Sequence, residues 1–85
     1  MNLEGLVTKY VRNTERVLTQ MRVVQNPVTI DQEKIRGIVE TAKRYLEDAK
    51  YYREKEKLET SLTAVAYCEG LLDALRFLGI AEFSW

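Results

Sequence analysis

Histidine is absent from this sequence, and cysteine and proline occur once each, as Cys68 and Pro27. The absence of histidine removes the commonest general base, proton shuttle and metal ligand. A single cysteine excludes an internal disulfide and a thiolate zinc cluster, and we expect Cys68 to pack as a small apolar side chain. The sequence also lacks a glycine-rich phosphate-binding loop. We therefore expect a protein that is not an enzyme and that holds neither a metal nor a cofactor.

The chain also has no surplus of charge and no long apolar run. Its 13 Lys and Arg residues balance 13 Asp and Glu residues, so it lacks the cationic field that non-specific nucleic-acid binding requires. No apolar run approaches the roughly 20 residues that span a bilayer. The first residues do not follow the basic-then-apolar order of a signal peptide. We predict a cytoplasmic protein that binds neither nucleic acid nor membranes.

Apolar seams are the most informative feature that the sequence does contain. Their residues alternate steps of three and four, which places each set on one side of an α-helix. The first seam contains Leu3, Val7, Tyr10, Thr14, Val17, Met21 and Val24, and the second contains Ile35, Ile38, Ala42, Tyr45, Ala49 and Tyr52. A third contains Leu58, Leu62, Val65, Cys68, Leu72 and Leu75, widened by Leu71 and Leu78. Each seam needs a partner that buries it, so the pattern predicts a helical bundle.

The length of 85 residues sets the size of the core. A chain of this size buries roughly 60% of its unfolded surface, which suffices for three packed helices but not for an enclosed substrate cavity. We predict an all-α fold with one domain over residues 1–85, an antiparallel three-helix bundle. Its helices are placed at about 2–24, 31–54 and 58–78, followed by a short apolar C-terminal tail.

The start of the second helix carries clear signals. Pro27 separates it from the first helix, because proline removes a backbone donor and restricts the residue before it. Asp31 is the predicted N-cap, with Ile30 and Ile35 placed as the two members of a hydrophobic staple. A start at Thr29 is the alternative.

The boundary between the second and third helices is less well marked. Residues 53–57 contain no apolar side chain, so we place a short turn near residues 55–58. The alternative is one continuous helix over residues 31–78, which needs a second chain to cover its seam and so predicts an obligate homodimer. At the far end, Gly79 and Ile80 predict a Schellman motif in which Ile80 contacts Leu75.

Acidic side chains on the third helix are candidate ligands. Glu69 and Asp73 lie four residues apart, and paired carboxylates on one helical face are able to hold a divalent cation. The alternative is a solvated acidic face that lies beside the more basic first helix. With the nearby ring of Tyr67, these residues form the candidate binding set. We also expect Asp73 to be braced by Arg76, because a carboxylate at the edge of an apolar seam usually has a fixed partner.

Two further features point to contacts between surfaces. Gly37 and Gly70 each cost about 1 kcal/mol relative to alanine inside a helix. We expect close approach between helices at both, and a ligand that contacts the backbone is the alternative. The apolar residues Phe77, Phe83 and Trp85 end the chain. They either fold over the end of the bundle or form an exposed patch that binds a partner or a second copy.

The stretch from Ala42 to Ile80 resembles a known family. Its most distinctive positions are Tyr67, Gly70 and Asp73 within Ala64-Val65-Ala66-Tyr67-Cys68-Glu69-Gly70-Leu71-Leu72-Asp73-Ala74-Leu75, followed by Leu78-Gly79. This pattern is similar to the small archaeal family catalogued as domain of unknown function 357. The resemblance implies a three-helix bundle. It carries over no catalytic residue, because the function of the family is not established. Some members are attached to nucleotidyltransferase-like domains, which implies an accessory role.

We predict a non-catalytic protein-interaction or accessory module whose contact residues are Leu71, Phe77, Phe83 and Trp85. Its partner is either an unknown protein or a second copy of the chain. The alternative is a small-molecule or nucleotide-binding protein, metal-assisted and weakly enzymatic, that uses the candidate binding set on the third helix.

Overall fold

A computed structural model describes residues 2–23 and 30–85 of the chain. It confirms the predicted all-α architecture of three helices packed against one another. The elements, in chain order, are α1 (Leu3–Gln20), β1 (Arg22–Val23), α2 (Gln32–Glu54), α3 (Leu58–Phe77) and β2 (Ala81–Glu82). The expectations for Val24, Pro27 and Thr29 lie outside the described residues.

The core lies along the three seams. Its side chains expose less than a tenth of their surface. They include Val7, Val11 and Val17 of α1, Ala42, Leu46 and Ala49 of α2, and Val65, Cys68 and Leu72 of α3. Val11 and Leu46 were missed by the strict three-four spacing, because the buried side of each helix is wider than one line of residues. Ser61 is also buried, and its hydroxyl donates to the carbonyl oxygen of Ala49 at 2.6 Å, which ties α3 to α2.

Helix ends follow from local chemistry. The Asp31 carboxylate accepts a hydrogen bond from the Glu33 amide at 2.8 Å, which confirms the predicted N-cap of α2. At the end of α3 the Ile80 amide donates to the Leu75 carbonyl at 2.9 Å, and the Gly79 amide donates to that of Arg76 at 3.0 Å. Gly79 has φ of 75°, so the predicted Schellman motif is confirmed.

The turn between α2 and α3 excludes the continuous helix. α2 ends at Glu54 and α3 begins at Leu58, so the alternative of one helix over residues 31–78, with the obligate dimer built on it, is wrong. Glu56 makes the reversal possible by adopting φ of 60°, in the left-handed region that a side chain with a Cβ rarely occupies.

The first helix is shorter than predicted. It ends at Gln20 and not near residue 24, because Arg22 and Val23 leave the helix to pair antiparallel with Glu82 and Ala81. This two-stranded ladder holds the C-terminal tail against the bundle end. Ile80 and Ala81 are buried there beside Ile35 and Leu75 in a second apolar cluster. Folding over the end of the bundle, the first of the two alternatives, therefore holds for Ile80 and for the half-buried Phe83. It does not hold for Phe77, which exposes 76% of its surface.

The two mid-helix glycines do not mark close approach within the bundle. A Cβ added at Gly37 or at Gly70 would meet no atom within 4 Å. The expectation that neighbouring helices of the same chain need these glycines is therefore wrong. Both positions are exposed to solvent. Packing within this bundle therefore does not explain why they hold glycine, which destabilises a helix.

Over residues 2–23 and 30–85, none of the helices has both the length and the apolar character required to cross a bilayer.

The left-handed Glu56 generates a stability prediction. Replacing Glu56 by glycine removes the clash between Cβ and backbone at φ of 60°, so we expect the free energy of unfolding to rise by about 1 kcal/mol. The matched control is Lys55→Gly, at a neighbouring residue with an ordinary φ of −83°, where glycine only adds unfolded-state entropy and lowers stability. Urea unfolding of both variants measures the effect, and a fall in stability for Glu56→Gly would contradict the prediction.

Candidate interaction surface

One side of α3 faces solvent without a single charged residue over four turns. Its residues are spaced by three and four along the helix, on the side away from the buried seam, and all of them are exposed. We call this set the α3 outer face: Thr63, Ala66, Tyr67, Gly70, Ala74, Phe77 and Leu78. A solvent-facing helix surface normally carries polar and charged side chains, so α3 is apolar around most of its circumference.

Large side chains stand at the margins of the α3 outer face and small ones occupy its middle. Phe77, Tyr67 and Leu78 expose 76%, 60% and 54% of their surfaces. Between them runs the small-residue line Ala66, Gly70 and Ala74, spaced four apart. A shallow groove of about 430 Å³ lies over this region. The shape of this groove suits packing against a ridge of side chains from another helix.

The α3 outer face continues onto α2. The ring of Tyr45 stacks on that of Tyr67, with centroids 5.3 Å apart and planes inclined by 20°. Thr41 and Ile38 lie one and two helical turns before Tyr45 on the same side of α2, and both are half-buried. We call Ile38, Thr41 and Tyr45 the α2 flank.

The four predicted contact residues occupy different environments. Phe77 lies mostly in solvent, with the Arg76 guanidinium 5.0 Å from its ring centroid. Leu71 is half-buried and packs on the core at the edge of the groove. Phe83 is half-buried against both apolar clusters, and its ring meets that of Trp85 edge-on at 5.2 Å. Of these four, Phe77 belongs to the α3 outer face and Leu71 borders it.

Asp73 holds the C-terminal tail in place. Its Oδ1 accepts a hydrogen bond from the Arg76 guanidinium at 3.1 Å and another from Trp85 Nε1 at 2.7 Å. The predicted bracing by Arg76 is therefore confirmed. The partnership with Trp85 was missed, because the two residues lie twelve positions apart and give no local signal of the contact. The Arg16 guanidinium of α1 completes the arrangement by donating to the Ser84 carbonyl at 3.3 Å.

The side chain of Glu69 leaves α3 on the side away from Tyr67 and points toward α1. It lines a small groove of about 250 Å³ together with Tyr10, Leu62, Val65 and Ala66. Burial raises the pKa of Glu69, the charge of Asp73 raises it further, and a hydrogen bond from the Thr14 hydroxyl opposes both. That hydroxyl also donates to the Tyr10 carbonyl at 2.7 Å. A single proton serves one acceptor at a time, and the short distance assigns it to the carbonyl.

The candidate binding set does not converge on one point. Tyr67 stacks on α2, whereas Glu69 lies in the groove toward α1. Two residues along a helix correspond to a rotation of about 200°, so the two side chains leave α3 on nearly opposite sides. Asp73 is already engaged with Arg76 and Trp85. Within residues 2–23 and 30–85, no three acidic or cysteine side chains gather where a metal ion could be held.

Cys68 lies in the core, as its place on the third seam predicted. The side chain is fully buried. Burial, assisted by the charge of Glu69, raises the pKa of Cys68 to about 12. The thiol therefore stays protonated at neutral pH and is not a nucleophile.

Sequence reasoning singled out Gly70 but missed Ala66 and Ala74, the other two central residues of the α3 outer face. The signal was present, because α3 contains only Glu59, Glu69, Asp73 and Arg76 as charged residues. What could not be read from the sequence is how far the other helices cover α3, and therefore that this side is left to solvent.

The raised pKa of Glu69 predicts a pH-dependent effect of its removal. A folded-state pKa above the usual 4.5 means that the protonated form favours the folded chain, and this stabilisation is lost as pH rises through the folded-state pKa. Glu69→Gln keeps the group neutral at every pH. We therefore expect the urea midpoint of the variant, relative to wild type, to rise as pH increases from below 4.5 through the folded-state pKa of Glu69. The exposed Glu59→Gln is the control, and a difference that is independent of pH would contradict the prediction.

The contact of Trp85 with Asp73 predicts a fluorescence change. Trp85 is the single tryptophan of the chain, and Asp73→Ala removes the acceptor of its indole N–H together with the partner of Arg76. We expect a red-shifted Trp85 emission and a loss of about 1 kcal/mol in unfolding free energy. Asp48→Ala, at an exposed position on α2, should leave both unchanged. Unaltered emission in Asp73→Ala would show that the tail is held without this carboxylate.

Comparison with known proteins bears on the family alone. No curated protein and no solved structure matches the chain. One family model does match, over residues 9–81, and its description is protein of unknown function (DUF357). The match covers most of the chain, including all of α2 and α3 and the larger part of α1. The chain therefore belongs to the DUF357 family.

Proposed function

We propose that this protein is a non-catalytic interaction module that binds a protein partner through the α3 outer face. The observation that carries the proposal is the absence of charge from Thr63 to Leu78 on the exposed side of α3. Soluble monomers rarely leave a contiguous apolar patch of this kind in water without a use for it.

The composition of the face suits a helical partner. Ala66, Gly70 and Ala74 let a second helix come close, while Tyr67 and Phe77 supply large apolar side chains at the margins. Aromatic side chains with little conformational freedom are the residues that most often dominate the energy of protein interfaces. Phe83 and Trp85 have a different part in this proposal, since they brace the bundle that presents the face.

The chemistry of the rest of the chain agrees with a binding role. The sequence has no histidine. Of the three residues of the candidate binding set, Tyr67 leaves α3 on the side away from Glu69, and Asp73 is already engaged with Arg76 and Trp85. No observation on the described residues favours the small-molecule alternative over the interaction surface.

A charge placed in the face tests the proposal. Ala74 is exposed at the centre of the α3 outer face, and alanine to glutamate retains helix propensity. We expect Ala74→Glu, used as bait in lysate of the source organism, to lose proteins that wild type captures. The loss should be at least tenfold, since a desolvated charge costs more than 1.4 kcal/mol.

The control variant carries the same added charge elsewhere. Gln20→Glu lies at the exposed end of α1, where Arg16 is near enough to pair with it. Circular dichroism checks that both variants fold. Capture by Gln20→Glu at the wild-type level, with none by Ala74→Glu, supports the proposal. Equal capture by all three baits overturns it, and so does an absence of capture in a chain that also does not self-associate.

A further inference from the structure

We infer that the partner on the α3 outer face is a second copy of this chain, packed with its α3 antiparallel to the first. The inference rests on the proposed function, because it names the occupant of the same surface. Three observations on the described residues lead to it: the unexplained glycine, the relief of the face, and the position of the charges at its ends.

Gly70 indicates where the occupant comes closest. A Cβ at this position has open space around it, so the bundle alone would be more stable with alanine there. Gly70 is also the middle of the line that Ala66 and Ala74 complete. Helices that cross over such a line approach more closely than helices with larger side chains at the contact. The glycine is thus accounted for by a helix outside this chain.

The face is complementary to itself about Gly70. A two-fold axis through this residue places Ala66 opposite Ala74 of the second copy, so that small side chains meet at the centre. It also places Phe77 over Thr63 of the second copy, which seats the most exposed aromatic ring of the face on a smaller residue. Two-fold packing of this kind is the commonest form of self-association.

Charge selects the antiparallel arrangement. Glu59 is exposed at the start of α3, so a parallel pair would bring two Glu59 carboxylates together at one end. Lys34 is exposed near the start of α2. It lies beside the end of α3, since Ile35 packs with Leu75 and Ile80 there. An antiparallel pair brings Glu59 of each copy toward Lys34 of the other and also opposes the helix dipoles.

The size of the surface sets the strength of the dimer. Residues 63–78 span about 24 Å at 1.5 Å per residue, and the α2 flank adds a second row about 8–10 Å to the side. A whole aromatic side chain has roughly 150–250 Å² of surface. From their exposed fractions, Tyr67 and Phe77 together expose about 250 Å². A standard interface buries about 800 Å² on each partner. The surface is no larger than the low end of that class, so we expect a weak dimer with a dissociation constant in the micromolar range.

Sedimentation equilibrium on purified chain is the first test, from low micromolar to submillimolar concentration. We expect a monomer–dimer equilibrium that Gly70→Leu weakens at least tenfold. The substitution fills open space in the monomer and improves helix propensity, so a loss of dimer is not a loss of fold. Lys43→Leu adds the same side chain at an exposed site on the opposite flank of α2 from Tyr45, and should dimerise as wild type does.

Disulfide trapping tests the direction of the pair. In a Cys68→Ala background, Gly70→Cys places the new thiols at the proposed axis, and oxidation should cross-link the two chains. Thiols at Thr63→Cys would be about 21 Å apart in the antiparallel pair, because each lies seven residues from the axis, far beyond the roughly 7 Å limit between Cα atoms. Cross-linking at residue 70 without cross-linking at residue 63 supports the arrangement, and efficient cross-linking at both overturns it.

The outcomes separate this inference from the proposed function. A wild-type chain that stays monomeric over the whole range, or a dimer that Gly70→Leu leaves unchanged, overturns the second copy as the occupant. Capture that depends on Ala74 in a monomeric chain would leave the proposed function standing with a different protein as partner.

Discussion

Burial of the inner side of α3 is the constraint on which the rest of the structure depends. Val65, Cys68 and Leu72 fill the space between α1 and α2 in one cluster, and Leu75 extends the contact to Ile35 and the tail. Each fully buried aliphatic side chain of this kind contributes about 1.5–3 kcal/mol. Because α3 contacts both other helices through this side, its rotation is fixed, and the opposite side is left to solvent.

The rotation of α3 about its own axis gives its inner and outer sides different roles. On the inner side, the hydroxyl of Ser61 and the Schellman turn at Gly79 hold the helix in register with α2 and with the tail. On the outer side, both Phe77 and the backbone of Gly70 are exposed to solvent. A chain of this size has too little interior for a ligand cavity, so a surface of this kind is where a small bundle has room for a function.

The sequence predicted those features whose causes are local. The Asp31 cap, the turn after Glu54 and the Schellman end at Gly79 each arise from residues within a few positions of one another. Features that depend on distant residues were missed or wrong. The pairing of Val23 with Ala81 shortened α1, and Trp85 reached Asp73, without any signal in the neighbouring residues. Gly70 was correctly seen as an unusual residue, but its explanation was sought inside the bundle.

The sequence by itself determined that the chain forms three helices, because the spacing of apolar residues and the capping residues act through neighbours on one helix. Only the tertiary structure decided which side of α3 is covered. Apolar residues surround this helix, so its periodicity is compatible with more than one rotation, and packing against both α1 and α2 selects one. The same packing separates Tyr67 from Glu69 and leaves an uncharged face, centred on Gly70, open to a partner.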